Sequence, residues 1–384
     1  MTTTTERMSG PSTRQMPKRV SQSVFDGSRV RVVLLVDVYD GSQQEFLEAY
    51  EHLCSQVASV PGHVSDQLCQ SIEDPCQWLI TSEWESAPPF LAWVNSEEHV
   101  QMVRPMNSCV RDTRSLRFHI VRETGVAAPA DSGTRHLQLA PRIGDGTIRH
   151  ALTFTVKPGS EQAVAKILAD YAPPKAQVDE TTRLCRTSLF MHGNRVVRTI
   201  EVEGDLLSAL RHVARQPEVM AVEEAINPYL EQERDLGDAE AARIFFARAA
   251  LPAVHHVTTG DECPDAVRRA LYYPARPGRG MDLARLLAEQ DEASANDPDC
   301  PVCRSTIFQR DDIVVRLVDV RGNLDGDPVR SLGRANSAQA AELLSLLDGE
   351  AIGAEGPALK SGDAAAILKL ARMELITDRR SADA

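Results

Sequence analysis

Aromatic residues, basic charge and long apolar runs are all scarce in this sequence of 384 residues. It has 42 Lys and Arg against 55 Asp and Glu, a net charge of -13. This balance argues against a nucleic-acid surface, because phosphate binding needs clustered basic side chains. The longest apolar stretch, residues 30–38, has the length of a strand and is too short to span a membrane. We therefore expect a cytoplasmic globular protein that binds neither nucleic acid nor membrane.

The eight cysteines are scattered along the chain and offer no metal-binding pattern. Cys300 and Cys303 form a Cys-x-x-Cys pair, but a structural zinc site usually takes four ligands and no second pair of this spacing exists. A long chain with dispersed cysteines is also unlike a small secreted disulfide scaffold. We expect reduced thiols that pack in the interior, and no bound metal.

What the sequence does contain is an internal repeat. Three segments align without a gap, and they begin at Arg31, Arg149 and Arg268. Each starts with an apolar run of strand length and has a glycine ten positions on, namely Gly41, Gly159 and Gly278. Apolar residues then recur at i, i+3 and i+4, which is the spacing of an amphipathic helix. Each repeat therefore opens with a strand, a turn and a helix.

The repeats align again on a second signature, which contains Cys69, Cys185 and Cys303. This signature leads into a hairpin, a further helix and a last strand, and the order βαββαβ is that of a ferredoxin-like unit. The predicted class is α+β, with tandem antiparallel sheets that carry helices on one face. We predict a disordered tail at 1–27 and three units at 28–125, 146–259 and 264–384, joined by linkers at about 124–146 and 259–264.

Each predicted sheet has one face that its own helices do not cover. Such an apolar face favours pairing with a second sheet. Three units in one chain leave one sheet without an internal partner. We therefore predict a homodimer.

The first unit contains PGHVSDQLCQS followed by WLITSEWESAPPFLAWVNSEEHV. Over about residues 29–123 it resembles the antibiotic biosynthesis monooxygenase family. From about residue 145 onward the chain resembles the SchA/CurD-like domain of actinobacterial aromatic polyketide and spore-pigment pathways. The resemblance implies a dimeric α+β barrel that oxidises phenolic, anthrone-like polyketides to quinones with O₂ and without flavin or metal. Trp84 matches a strand tryptophan of the family, whereas Trp93 stands where many members have histidine.

Oxidation without a cofactor is chemically reasonable for such a substrate, because an ionised anthrone or hydroquinone can itself pass an electron to O₂. The protein then needs a dry aromatic pocket, a base and donors for the oxyanion. The catalytic candidates are Trp84, His63 and Asn95. The candidates for substrate binding are Trp78, Trp93, His99, His150, His192 and Arg198.

Ordinary structural roles also explain several of these residues. The tryptophans also suit core packing. His63 suits an ordinary loop, and His99 follows two glutamates and is expected to face solvent. His150 is expected on the open sheet face. Arg198 is expected to pair with Glu201, and its repeat equivalent Arg316 is expected to pair with Asp319.

Two other functions remain open for the same fold. One is an aromatic polyketide cyclase, in which the pocket only folds and dehydrates a poly-β-ketone. The other is a non-catalytic protein that binds the polyketide or holds the enzymes of its pathway together. Fold alone does not separate these alternatives.

Overall fold

A computed structural model of the chain describes residues 20–121, 144–232, 234, 239–259, 263, 265–295, 297, 299–322, 337–353 and 364–381. The strands are β1 (Ser21–Ser23), β2 (Val30–Val38), β3 (His63–Gln70), β4 (Gln77–Trp84), β5 (Val110–His119), β6 (Thr147–Thr155), β7 (Arg183–His192), β8 (Arg195–Glu203), β9 (Ala250–Thr258), β10 (Val267–Pro274), β11 (Val302–Arg310), β12 (Ile313–Val320) and β13 (Glu374–Arg380). The helices are α1 (Gln43–Val57), α2 (Ala87–Val94), α3 (Glu97–Cys109), α4 (Glu161–Asp170), α5 (Leu206–Ala214), α6 (Pro217–Ile226), α7 (Ala239–Ala249), α8 (Gly280–Ser294), α9 (Ser337–Leu346) and α10 (Ala364–Ala371). No helix in these ranges is both long and apolar enough to cross a membrane.

The first repeat forms a separate four-stranded antiparallel sheet in the order β5-β2-β4-β3. Successive side chains of a strand point to opposite faces. On β2, Val30, Val32 and Val36 are therefore buried against the helices, whereas Leu35 faces the other way and is 43% exposed. The sheet thus has one face covered by α1, α2 and α3 and one face without its own helices.

The second and third repeats combine into one barrel. Each contributes a sheet with the ferredoxin-like strand order, β9-β6-β8-β7 in the second repeat and β10-β12-β11 with β13 in the third. Strand β9 pairs with β11, and β13 pairs with β7. A bridge between Leu271 and Arg372 then brings the start of β13 to β10 and almost completes the ring. The predicted tandem ferredoxin-like architecture is confirmed, and the sheets of the second and third repeats face each other inside the barrel.

Side chains fill the inside of this barrel. A layer of apolar residues crosses it, formed by Ala151, Phe190, Val197, Leu251, Tyr272 and Phe308. At the end where β10 begins, Arg268 donates to Asp319 at 2.8 Å and to Glu201 at 2.6 Å. Arg186 also donates to Asp319, at 3.3 Å. Buried charges need such partners, and these residues supply them to each other. Because the network fills the space between the strands, it closes this end of the barrel.

Three details differ from the sequence-based expectations. Ser21–Ser23, predicted as part of a disordered tail, form β1 and pair with β9, while residues 1–19 lie outside the described ranges. The second helix predicted in the first repeat is two helices, α2 and α3, because Asn95 ends the first and Ser96 caps the second. The predicted linkers at 124–146 and 259–264 fall mostly outside the described residues.

Cys303 is joined to Cys263 by a disulfide, which corrects the expectation that the thiols are reduced. Thr259, directly after β9, donates its N–H to the carbonyl of Cys303 at 3.0 Å, so the pairing of β9 with β11 brings the segment that contains Cys263 close to Cys303. This approach is a tertiary contact, and the repeat pattern alone could not predict it. The other described cysteines, Cys300 among them, are free.

Candidate functional site

A cavity of about 290 Å³ lies in the first repeat, between the helix-facing side of its sheet and helices α1, α2 and α3. Apolar side chains such as Phe90 and Val103 form much of its wall. Its polar and aromatic lining groups are Tyr50, Asp66, Trp93, His99 and Arg117. Ligand pockets combine mostly apolar walls with a few polar groups in this way, and the volume is near the lower end of their usual range.

The junction of α2 and α3 places the aromatic wall. The Ser96 hydroxyl accepts a hydrogen bond from the backbone N–H of His99 at 3.1 Å, which caps α3 and fixes its first turn. The His99 ring then meets the Trp93 ring edge-on, with centroids 4.2 Å apart. Both rings line the cavity. His99 was expected to face solvent, but it is partly buried because its turn packs against Trp93.

Arg117 reaches the cavity from β5. Its register partner on β2 is Val32, so it points to the helix-facing side of the sheet. Its guanidinium lies 5.3 Å from the centroid of the Phe90 ring and, among the described residues, forms no ion pair. Burial lowers the pKa of this guanidinium. An unpaired cation beside an aromatic wall is suited to hold an anionic oxygen.

Arg117 was missed by the sequence analysis, although a signal for it exists. From Thr113 onward the residues of β5 on the helix-facing side are polar, namely Thr113, Ser115, Arg117 and His119, and the first three of them are exposed. A sheet face that packs only on helices should be apolar. A polar row on that face therefore indicates that this edge of the sheet is open rather than packed against a helix.

His63 and Asp66 form a close pair at the start of β3, where His63 Nε2 lies 2.7 Å from Asp66 Oδ2. Asp66 lines the cavity and His63 lies behind it. Burial raises the pKa of Asp66, while His63 lowers it. Burial, together with Asp66, raises the pKa of Tyr50 to about 12, so Tyr50 stays protonated at neutral pH and can donate a hydrogen bond. Asp66 is the group with both the exposure to the cavity and the partner that a general base needs.

Gly62 positions this pair. It has φ of +84°, in the region that favours glycine, and a Cβ there would lie 2.7 Å from Pro89 at the start of α2. Its carbonyl accepts from Glu85 N–H at 2.8 Å. The turn before β3 is thus held tightly against α2, and His63 follows directly.

The second repeat contributes a histidine near the cavity. Burial and, to a smaller extent, the charge of Arg117 lower the pKa of His99 to about 4. The same two causes, in the same order, lower the pKa of His150 on β6 to about 4. Both imidazoles are therefore neutral at pH 7. His150 lies on the face of β6 opposite Ala151, which points into the barrel, so the expectation of an open sheet face is wrong for it.

The remaining predicted site residues do not line the cavity. Trp84 is fully buried between His63, Phe90 and Trp93. Trp78 packs on Phe46 with centroids 5.4 Å apart. Asn95 ends α2, and its buried Nδ2 has no hydrogen-bond partner among the described residues.

His192 and Arg198 serve the second repeat itself. His192 Nε2 lies 2.7 Å from the carbonyl oxygen of Leu370 on α10. Arg198 donates to Glu223 at 2.6 Å rather than to Glu201, and its repeat equivalent Arg316 pairs with Asp291. The predicted pairings failed because each arginine and the acid three positions on point to different faces of the sheet.

The fold and the cavity define the class of this protein: tandem ferredoxin-like repeats with a ligand-sized cavity in the first repeat. Comparisons with known proteins agree with this class. Residues 29–105 match the family model for antibiotic biosynthesis monooxygenase. Residues 147–259 match that for the SchA/CurD like domain. Both parts of the resemblance stated from the sequence are therefore confirmed.

Curated relatives extend the match over nearly the whole chain. The chain is 64% identical to polyketide synthase CurD of Streptomyces cyaneus over 363 residues, 94% of this chain and 98% of that protein. It is 58% identical to a 42.8 kDa protein in the whiE locus of Streptomyces coelicolor, over 99% of this chain and 95% of the relative. It is also 58% identical to protein SchA of Streptomyces halstedii, over 95% of this chain and 97% of the relative. The chain belongs to the SchA/CurD family.

Among solved structures, the chain is similar to SnoaB, a cofactor-independent oxygenase from Streptomyces nogalater. The two share 14% identity over 26% of this chain and 99% of SnoaB, with a TM-score of 0.24. A putative antibiotic biosynthesis monooxygenase from Nitrosomonas europaea is 16% identical over 26% of this chain and 98% of its own, with a TM-score of 0.24.

Proposed function

We propose that this protein is a cofactor-independent oxygenase that oxidises an anthrone-like or phenolic polycyclic polyketide to a quinone in the cavity of the first repeat. The observation that carries the proposal is the position of Arg117, a cation without an ionic partner among the described residues, beside Phe90 and across from Asp66 in one cavity. The match to the monooxygenase family model and the name of the relative polyketide synthase CurD support the class of reaction and substrate.

Different side chains of the cavity have different roles in the proposed reaction. Trp93 and Phe90 contact the flat faces of the substrate. Asp66, backed by His63, accepts the proton from the phenol or from the carbon that is to be oxidised. Arg117 and the Tyr50 hydroxyl stabilise the oxyanion that forms. The neutral His99 adds polarity to the wall without a competing positive charge.

The electrons balance without an external reductant. The ionised substrate passes an electron to O₂, and the resulting radical pair combines to a peroxide at the oxidised carbon. Loss of water from this peroxide leaves the quinone carbonyl. For an anthrone, one O₂ is consumed, one of its oxygen atoms enters the product and the other leaves as water.

We also propose that the protein is a homodimer formed through the first repeat. The second and third repeats pair their sheets face to face within the chain, whereas the equivalent face of the first sheet has Leu35 43% and Phe118 51% exposed. A second chain can cover this face in the way that the third repeat covers the second.

Oxygen uptake tests the enzymatic proposal. Purified protein with anthrone as the probe should consume O₂ with one anthraquinone formed per O₂. Arg117→Gln and Asp66→Asn should each lower kcat/KM by about 10²-fold, since each removes a group that acts on the developing anion. Arg104→Gln, an exposed arginine on α3, is the matched control and should retain the rate. Binding of the probe without O₂ uptake would instead favour a cyclase or a binding protein.

A further inference from the structure

A second cavity, of about 430 Å³, lies at one end of the barrel formed by the second and third repeats. Its walls come from the ends of strands and from α7. Arg195 at the start of β8, Arg310 at the end of β11 and Arg248 on α7 all line it. Phe154, Phe245 and Ile313 supply an apolar part.

The floor of this cavity is closed. Arg195 lies over the ring of Tyr272, 5.3 Å from its centroid, and Tyr272 belongs to the apolar layer that crosses the barrel. The network around Arg268 closes the opposite end. The cavity is therefore a pocket at the barrel mouth and not the opening of a channel.

Two of the three arginines have partners. Arg248 forms a two-pronged ion pair with Glu97 at the start of α3. Arg310 donates to the carbonyl of Ala247 and lies 3.5 Å from Asp311. The positive charges of these two arginines are thus already paired with carboxylates of the protein.

Arg195 differs from them. It donates to the Thr153 hydroxyl at 3.2 Å and lies over Tyr272, but among the described residues no carboxylate is within ion-pair distance of it. The nearby Glu231 accepts from Thr155 at 2.6 Å and from Asn194 at 3.0 Å. A guanidinium held in place above an apolar floor, with no carboxylate partner, is suited to a carboxylate that arrives from outside.

We infer that this pocket binds an organic carboxylate with a flat apolar body, whose carboxylate is held by Arg195 and whose body packs on Phe154, Phe245 and Ile313. The pocket is separate from the first-repeat cavity, although the first turn of α3 borders both, with Glu97 on one and His99 on the other. It gives the SchA/CurD-like part of the chain a binding role of its own.

Calorimetric titration with 2-naphthoate and its neutral analogue 2-naphthamide tests the inference on the full chain. The carboxylate should bind about tenfold or more tightly than the amide, because a hydrogen bond to a charged group is worth more than one to a neutral group. Its affinity should fall as NaCl is added, while that of the amide should not. This comparison requires only the wild-type protein.

Variants locate the site. Arg195→Gln should reduce the affinity for naphthoate to that for the amide, and Arg195→Lys should give an intermediate value because it keeps the charge but loses the planar fork. Arg211→Gln, at an exposed arginine of α5, and Arg117→Gln in the first-repeat cavity should leave it unchanged. Equal binding of acid and amide, unchanged binding in Arg195→Gln, or loss of binding in Arg117→Gln alone would overturn the inference.

Discussion

Trp84 and Trp93 stack on each other, with ring centroids 5.4 Å apart and ring planes 29° apart. Trp84 is fully buried, and its Nε1 donates to the Ser82 hydroxyl at 3.0 Å. Trp93 is the member of the pair that lines the cavity. The tryptophan that matches the family's strand position therefore supports the wall, and its neighbour on α2 forms it.

This arrangement predicts different consequences for the two tryptophans. Trp84→Ala should lower the free energy of unfolding by about 3–5 kcal/mol, because it leaves a large hole in a packed core. Trp93→Ala should cost less stability but should weaken the binding of an aromatic substrate. Urea unfolding and substrate titration on both variants measure the difference. Equal losses of stability in the two variants would contradict the conclusion that Trp84 supports the cavity wall and Trp93 forms it.

Two partly buried histidines should make the protein acid-sensitive. His99 and His150 have pKa values of about 4 in the folded state, against an ordinary value of 6.5. Between these values the unfolded chain binds more protons, so stability rises with pH from about 4 to 6.5 and is level above that. Each histidine accounts for on the order of 3 kcal/mol of this rise in the free energy of unfolding between pH 4 and 6.5.

The double variant His99→Gln/His150→Gln should flatten this slope when urea unfolding is followed from pH 4.5 to 7.5. His52→Gln, at an exposed position on α1, is the control and should leave the slope unchanged. A double variant with the wild-type slope would show that neither imidazole is held neutral by burial.

Gly62→Ala should disturb the site through the backbone. The added methyl group meets Pro89 at 2.7 Å, and alanine disfavours the positive φ at this position. We expect a loss of roughly 1–3 kcal/mol in stability and a reduced rate of oxidation, because His63 and Asp66 shift together. Gly41→Ala, where φ is also positive but no atom lies within 4 Å, separates the two effects. It should lose stability and keep its rate; equal rate losses in both variants would refute the role of Gly62.

Dimer formation can be tested on the open face of the first sheet. Leu35→Arg should convert a dimer to a monomer in sedimentation velocity, because it places an unpaired charge in an apolar interface. Ile72→Arg is the matched control, since Ile72 is fully exposed in the turn after β3 and outside that face. Sedimentation of the wild-type chain as a monomer would refute the proposed homodimer.

Much of the fold could be predicted from the sequence, because the repeat aligns strands and helices of known order. The barrel formed when β9 pairs with β11 and β13 pairs with β7 could not, since pairing between repeats depends on faces that share one pattern in all three. In the site, Trp93 and His99 were predicted and meet in the cavity. Arg117 and Asp66 were not, because both look like ordinary strand polar residues until the register of β5 and β3 assigns their faces.

Isotopic labelling of the product tests the central proposal most directly. The protein is incubated with anthrone under ¹⁸O₂, and the anthraquinone is analysed by mass spectrometry together with an Arg117→Gln sample. The proposal predicts one ¹⁸O atom in each quinone and much slower formation in the variant. A quinone without the label, or labelled product formed at the same rate with and without the protein, would contradict it.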